Sequence, residues 1–171
     1  LANKITSVRQ AIVYLGLNTV KNLALSFSLL KGFASKRKGG FDHVQFSKDA
    51  LIGAVAAKLL TEKVSRQHGE NAFFLGLLQN IGPLMMAHAM PDAYAAVRQE
   101  AAPGGRALHD IETARMGMNH MDVGAFITDS WGLPAAFSIP IGCHHCPDQL
   151  AGQADDVEQL TRMLHLSSLY I

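Results

Sequence analysis

The chain has 171 residues, 49% of them hydrophobic, which is enough for one domain with a substantial apolar core. Fifteen Lys and Arg against fourteen Asp and Glu leave a formal charge of +1, so no overall field draws the protein to nucleic acid or anionic lipid. Two cysteines are too few for a secreted disulfide framework, and the apolar runs 72–78 and 81–89 fall short of the roughly 20 residues that span a membrane.

Ile5, Val8, Ile12 and Leu15 recur at helical spacing and end at Gly16; Asn18 can cap a second helix that continues to Gly32. The stretch Ser35-Lys36-Arg37-Lys38-Gly39-Gly40 reads as a solvated connection. A long helix is expected from Phe46 to about Gln67, rich in small residues at Ala50, Gly53, Ala54, Ala56 and Ala57 that allow close packing, with Gly69 as its stop. Asn71 opens a buried apolar helix over 72–78, and Gly82-Pro83 predicts a break before a helix over 84–89.

Another helix begins near Pro91 or Asp92, and Pro103-Gly104-Gly105 separates it from one containing Ile111 and Ala114. Asn119 caps a helix through Ser130, Pro134 opens one that reaches His144-His145, and Asp155 or Asp156 opens a final amphipathic helix. No period-two alternation of useful length occurs, so the fold class is all-α.

Cys143-His144-His145-Cys146 has the spacing of a redox or zinc motif. A redox pair normally opens a helix after a strand, whereas residues 135–142 read as helix, which weighs against thiol chemistry. A zinc site must also reconcile adjacent side chains that diverge by about 100 degrees on a helix.

Several patterns, in order, resemble the HDOD domains of bacterial signalling proteins: residues 4–16 (KITSVRQAIVYLG), residues 73–82 (FFLGLLQNIG), then Glu112, Gly117, His120, Val123-Gly124-Ala125, Trp131-Gly132-Leu133-Pro134 and His144-His145. No single piece is specific, but the ordered set covers nearly the whole chain. The resemblance implies an HD-domain-like multi-helix bundle forming a single domain over 1–171. That domain is expected to be partial at both ends and to lack the first helices of the family.

HDOD domains resemble the HD phosphohydrolases, whose divalent metals are held by a histidine, an adjacent His-Asp pair and a later aspartate. Imidazole and carboxylate together suit first-row metals that activate water against a phosphoester, and neutral amides do not. The resemblance places Gln79 and Asn80 at the His-Asp pair and Asp49 at the first ligand histidine, so these are degenerate metal-site positions. His120, His144 and His145 match positions that help bind a second metal or phosphate in the related HD-GYP hydrolases.

These three histidines are therefore candidates for a ligand, phosphate or residual metal site. The competing reading makes them buried donors that join helices, with Glu112, Asp122 or Asp49 as acceptors. His43, His68, His88, His109 and His165 carry no motif and are expected at surface or packing positions. Trp131 is expected to cover the core at a helix corner, and the Met85-Met86 and Met116/Met118 pairs to fill it.

The resulting expectation is a non-catalytic signal-transduction output or regulatory domain, acting through protein or small-ligand binding, with no catalytic residues, no metal and no cofactor. Expected partners are linked receiver, kinase or cyclic-dinucleotide enzyme domains of a response regulator or similar cytoplasmic protein. Oligomers are allowed, and nucleic acid and membrane are not expected. The alternative is a divergent metal-dependent phosphohydrolase acting on a phosphoester or cyclic nucleotide.

Overall fold

The computed structural model describes residues 41–102, 105–150 and 152–171. The two helices expected before residue 33 and the basic connection after them lie outside the described residues. Among the described residues there are eight α-helices and two short 3-10 turns, and no strand. The all-α expectation holds.

Helix α1 (His43–Val64) starts where Asp42 accepts hydrogen bonds from the Val44 and Gln45 amides at 3.0 and 2.9 Å. It begins three residues before Phe46 and ends at Val64; a 3-10 turn (Arg66–His68) follows, and Gly69 opens α2 (Gly69–Leu78) instead of serving only as a stop. The small residues act as expected. A Cβ on Gly76 of α2 would stand 2.6 Å from the Ala54 Cα and 2.9 Å from the Gly53 carbonyl, so α1 and α2 touch backbone to backbone. Lys58 of α1 pairs with Glu70 at the edge of this contact.

The expected break at Gly82-Pro83 falls earlier, at Gln79-Asn80, and α3 (Ile81–Ala89) carries Pro83 in its first turn. Proline is tolerated there because a first-turn amide has no intrahelical acceptor to lose. By length and composition the run Arg66–Ala89 could cross a membrane, yet 72% of its most apolar window is buried inside the protein.

Pro91 opens α4 (Pro91–Ala101), and α5 (Leu108–Met116) ends at Gly117 with φ of 75°, the left-handed conformation glycine adopts freely. A capping box between Asn119 and Asp122 starts α6 (His120–Ser130). Helix α7 (Ala135–Cys143) follows Pro134, and the amphipathic α8 (Asp155–Ser168) carries three acids in its first turn. Phe74, Leu75, Leu78, Ile141, Leu160 and Leu164 join α2, α7 and α8 in the main core. Trp131, expected to cover that core, is 38% exposed; Met86 is buried, whereas Met118 is exposed.

A candidate site of three histidines and a buried glutamate

Glu112 projects from the middle of α5 and is fully buried. Its Oε1 accepts from the Tyr94 hydroxyl at 2.9 Å, and its Oε2 accepts from the His120 backbone amide at 2.8 Å and from the His120 ring Nδ1 at 2.6 Å. A carboxylate can only accept, so Nδ1 carries the proton and Nε2 is the free end of the ring. Burial pushes the Glu112 pKa upward, but the hydrogen bonds and charge of His120, with the Tyr94 bond, outweigh it and hold the group below its usual range. Tyr94 is held well above the usual phenol value, by burial and then by the Glu112 charge.

The chain brings His120 to this place by a close backbone crossing. A Cβ on Gly82, in the first turn of α3, would collide with the His120 carbonyl, so only glycine lets α3 and the start of α6 meet. Gly82 lies two residues beyond Asn80, and this ties the α2–α3 elbow to the histidines.

His144 and His145 lie beyond the last residue of α7, on the turn that follows Cys143. His144 keeps right-handed helical backbone angles, with φ of −64° and ψ of −18°, yet the two ring centroids are 4.2 Å apart. His144 is 0% exposed; its Nδ1 donates to the Ile141 carbonyl at 2.7 Å. Its backbone carbonyl accepts from His165 Nδ1 at 2.9 Å. His145 stacks on His109 at 5.3 Å and meets His120 edge-on at 5.1 Å.

Ligand-capable nitrogens of His120, His144 and His145 all lie within 4.8 Å of one another. Nε2 of His120 and Nε2 of His144 are buried without a hydrogen-bond partner. Burial, and then the neighbouring histidines, push the His144 pKa well down and that of His145 to about 4, so both rings are neutral at pH 7. The Cys143 thiol is raised, first by burial and then by Cys146 and Asp122, which disfavours a reactive thiolate.

The degenerate positions divide. Asp49 and Asn80 line one cleft of about 470 Å³, together with Tyr94, Arg98, Phe46 and Leu108. Asp49 accepts from Gln45 Nε2 at 2.7 Å. Gln79 is not among the residues lining that cleft; it is 0% exposed and its amide nitrogen stands 2.5 Å from where a Gly53 Cβ would be. Both polar atoms of Gln79 lack a partner. Of the three expected acceptors, only Glu112 serves a histidine, because Asp122 is engaged in the helix cap and Asp49 with Gln45.

A family model of the HDOD domain matches residues 1–147. The chain belongs to the HDOD family. An HDOD domain protein of unknown function from Geobacter sulfurreducens superposes on it with a TM-score of 0.83 at 22% identity, over 98% of this chain and 56% of its own. The MmoQ response regulator of Methylococcus capsulatus is 30% identical with a TM-score of 0.60, over 96% of this chain and 62% of its own. A protein from Shewanella amazonensis, provisionally described as a phosphohydrolase, gives 0.79 at 20% identity, over 98% and 61%. This HDOD domain thus spans about three fifths of the length of these structures. A comparison with curated proteins returns no match.

The neutral amides of Gln79 and Asn80 do not fit the metal pair that the family resemblance leads one to expect at these positions. One amide is enclosed at the α1 contact with no charge to offer, and the other lines a cleft whose two carboxylates are already engaged, Asp42 in the cap of α1 and Asp49 with Gln45. Three residues of the histidine site escaped sequence reasoning. His109 lies three residues before Glu112, and this helical spacing puts both on one face of α5, a signal that was available. Tyr94 and His165 reach the site only through tertiary contact, and nothing local in their sequence marks them.

Proposed function

We propose that this chain is a non-catalytic regulatory domain of a bacterial signalling protein, relaying a state through protein or small-ligand binding. The observation that carries the reading is Gln79, a neutral, wholly buried amide at a position where the related hydrolases need a charged, metal-facing pair. Membership of the HDOD family and the 30% identity with a response regulator support it. Linked receiver, kinase or cyclic-dinucleotide enzyme domains are the proposed partners, in a cytoplasmic protein in which residues 1–171 form one domain.

The test is turnover of a generic phosphodiester by the purified full-length protein, with and without added Mg²⁺, Mn²⁺ or Zn²⁺. No turnover under any condition is expected. The competing reading, a divergent phosphohydrolase, draws on the three clustered histidines. Metal-dependent turnover that disappears in His120→Ala establishes it and removes the relay reading.

A further inference from the structure

His120 and His144 share an arrangement that ordinary helix-joining histidines do not need. Each ring is at least 98% buried, each has its Nδ1 held by one oxygen, and each leaves Nε2 without a partner. A buried polar atom without a partner is unfavourable, and here two ring nitrogens of this kind occur beside a third imidazole. His145 completes the group from the same turn, and His109 braces its ring by stacking.

Metal-ligating histidines characteristically donate their second ring nitrogen to a carboxylate or a backbone carbonyl, which fixes the tautomer and aims the other nitrogen at the ion. Glu112 does this for His120 and the Ile141 carbonyl does it for His144. Both oxygens of Glu112 already accept hydrogen bonds, so the inner donor set consists of imidazoles alone. Such a set selects zinc and its neighbours over Mg²⁺, Ca²⁺ or Mn²⁺, which prefer oxygen.

We propose that His120, His144 and His145 bind one zinc-class divalent ion through three imidazole nitrogens, with Glu112 as the positioning residue for His120. Zinc–nitrogen bonds of about 2.0–2.1 Å in a tetrahedron put ligand nitrogens about 3.4 Å apart, so no spacing in the cluster, all within 4.8 Å, must close by more than about 1.4 Å on binding. Three protein ligands leave a fourth position open to water or an added ligand. The site does not use Gln79, and it does not require hydrolysis: a metal bound here without turnover is compatible with the relay reading.

The test uses the full chain, stripped with a chelator and titrated with Zn²⁺ by calorimetry, with Co²⁺ absorption in the visible range as a second readout of nitrogen coordination. One ion per chain is expected, with submicromolar affinity and an intense Co²⁺ band. His145→Gln should weaken binding at least 100-fold, and Glu112→Gln by about 10- to 100-fold. His68→Ala, at a histidine outside the cluster, should change neither affinity nor band. His145 is half-buried, so its variant is expected to fold, as circular dichroism would verify. Absence of stoichiometric Zn²⁺ binding by the unmodified chain overturns the proposal, as does equal affinity in His145→Gln. Phosphodiester turnover is read separately, so failure of the metal site and failure of the relay reading cannot be confused.

Discussion

Glu112 and His120 are joined twice: one carboxylate oxygen receives both the backbone amide and the ring Nδ1 of His120, at 2.8 and 2.6 Å. With Tyr94 on the other oxygen, a single buried side chain ties α4, α5 and α6 together. Glu112→Ala leaves three buried donors without an acceptor. The expected cost is about 3–5 kcal/mol of unfolding free energy, the range for removing one partner of a buried charged pair. Glu112→Gln keeps the shape and one acceptor oxygen, and should cost about 1–3 kcal/mol. Urea unfolding measures both; a loss below about 1 kcal/mol in the alanine variant would show that the network contributes little.

Acid should destabilise the domain before its carboxylates begin to titrate. His144 and His145 have lowered pKa values in the folded protein, His145 at about 4, against about 6.5 for an unperturbed histidine. Between those values the unfolded chain binds more protons than the folded one, so stability rises with pH. It is complete above about pH 6.5 and declines as pH falls toward 4, by at most about 1.4 kcal/mol per pH unit for each histidine. The depressed Glu112 acts in the same direction below its usual range. Denaturant midpoints at pH 7 and pH 5 test this, and the slope should be shallower in His145→Asn. Equal midpoints at the two pH values would contradict the buried-neutral state.

What the sequence disclosed follows from which forces are local. Asn119, Pro91 and the acids of α8 announce helix starts because capping acts within a few residues, and those helices begin where expected. The α1 stripe of Ala50, Gly53, Ala54 and Ala57 likewise announced a close contact. Gly82 did not disclose its purpose, because the obstacle is the carbonyl of His120, 38 residues away in sequence. His120, His144 and His145 were legible as candidates through the family resemblance; that Glu112 rather than Asp49 or Asp122 holds His120 depended on packing. The helix expected to reach His144-His145 stops at Cys143, and the pair sits on the turn that follows.

Gln79, where the family resemblance leads one to expect a lost metal ligand, offers a test of whether that position has a task of its own. Its amide is enclosed with neither polar atom paired, so burying it is unfavourable by about 1–3 kcal/mol relative to an apolar side chain of similar size. Gln79→Leu should therefore leave stability unchanged or raise it by about 1 kcal/mol, followed by thermal unfolding. A clear loss of stability would mean that the amide has partners in solution, such as ordered water or a bound ligand, and that the position is in use.

Gly82→Ala probes the crossing that assembles the histidine site without altering any histidine. The added methyl would occupy the place of the His120 carbonyl, which belongs to the first turn of α6 and cannot swing aside as a flexible side chain could. Helices α3 and α6 must separate, and overpacking of this kind costs about 3 kcal/mol, in addition to a helix-propensity gain of about 1 kcal/mol for replacing glycine. The net expectation is a loss of about 2 kcal/mol, together with a longer His120–Glu112 contact. Proton NMR reads the second effect through the His120 Nδ1 proton, whose downfield resonance should move upfield as the 2.6 Å hydrogen bond lengthens. Replacing Ala95 with glycine on α4 serves as a control for propensity, because it removes a methyl from a helix that takes no part in the crossing. If Gly82→Ala is as stable as the parent and the resonance does not move, the backbone approach between α3 and α6 is not what positions His120.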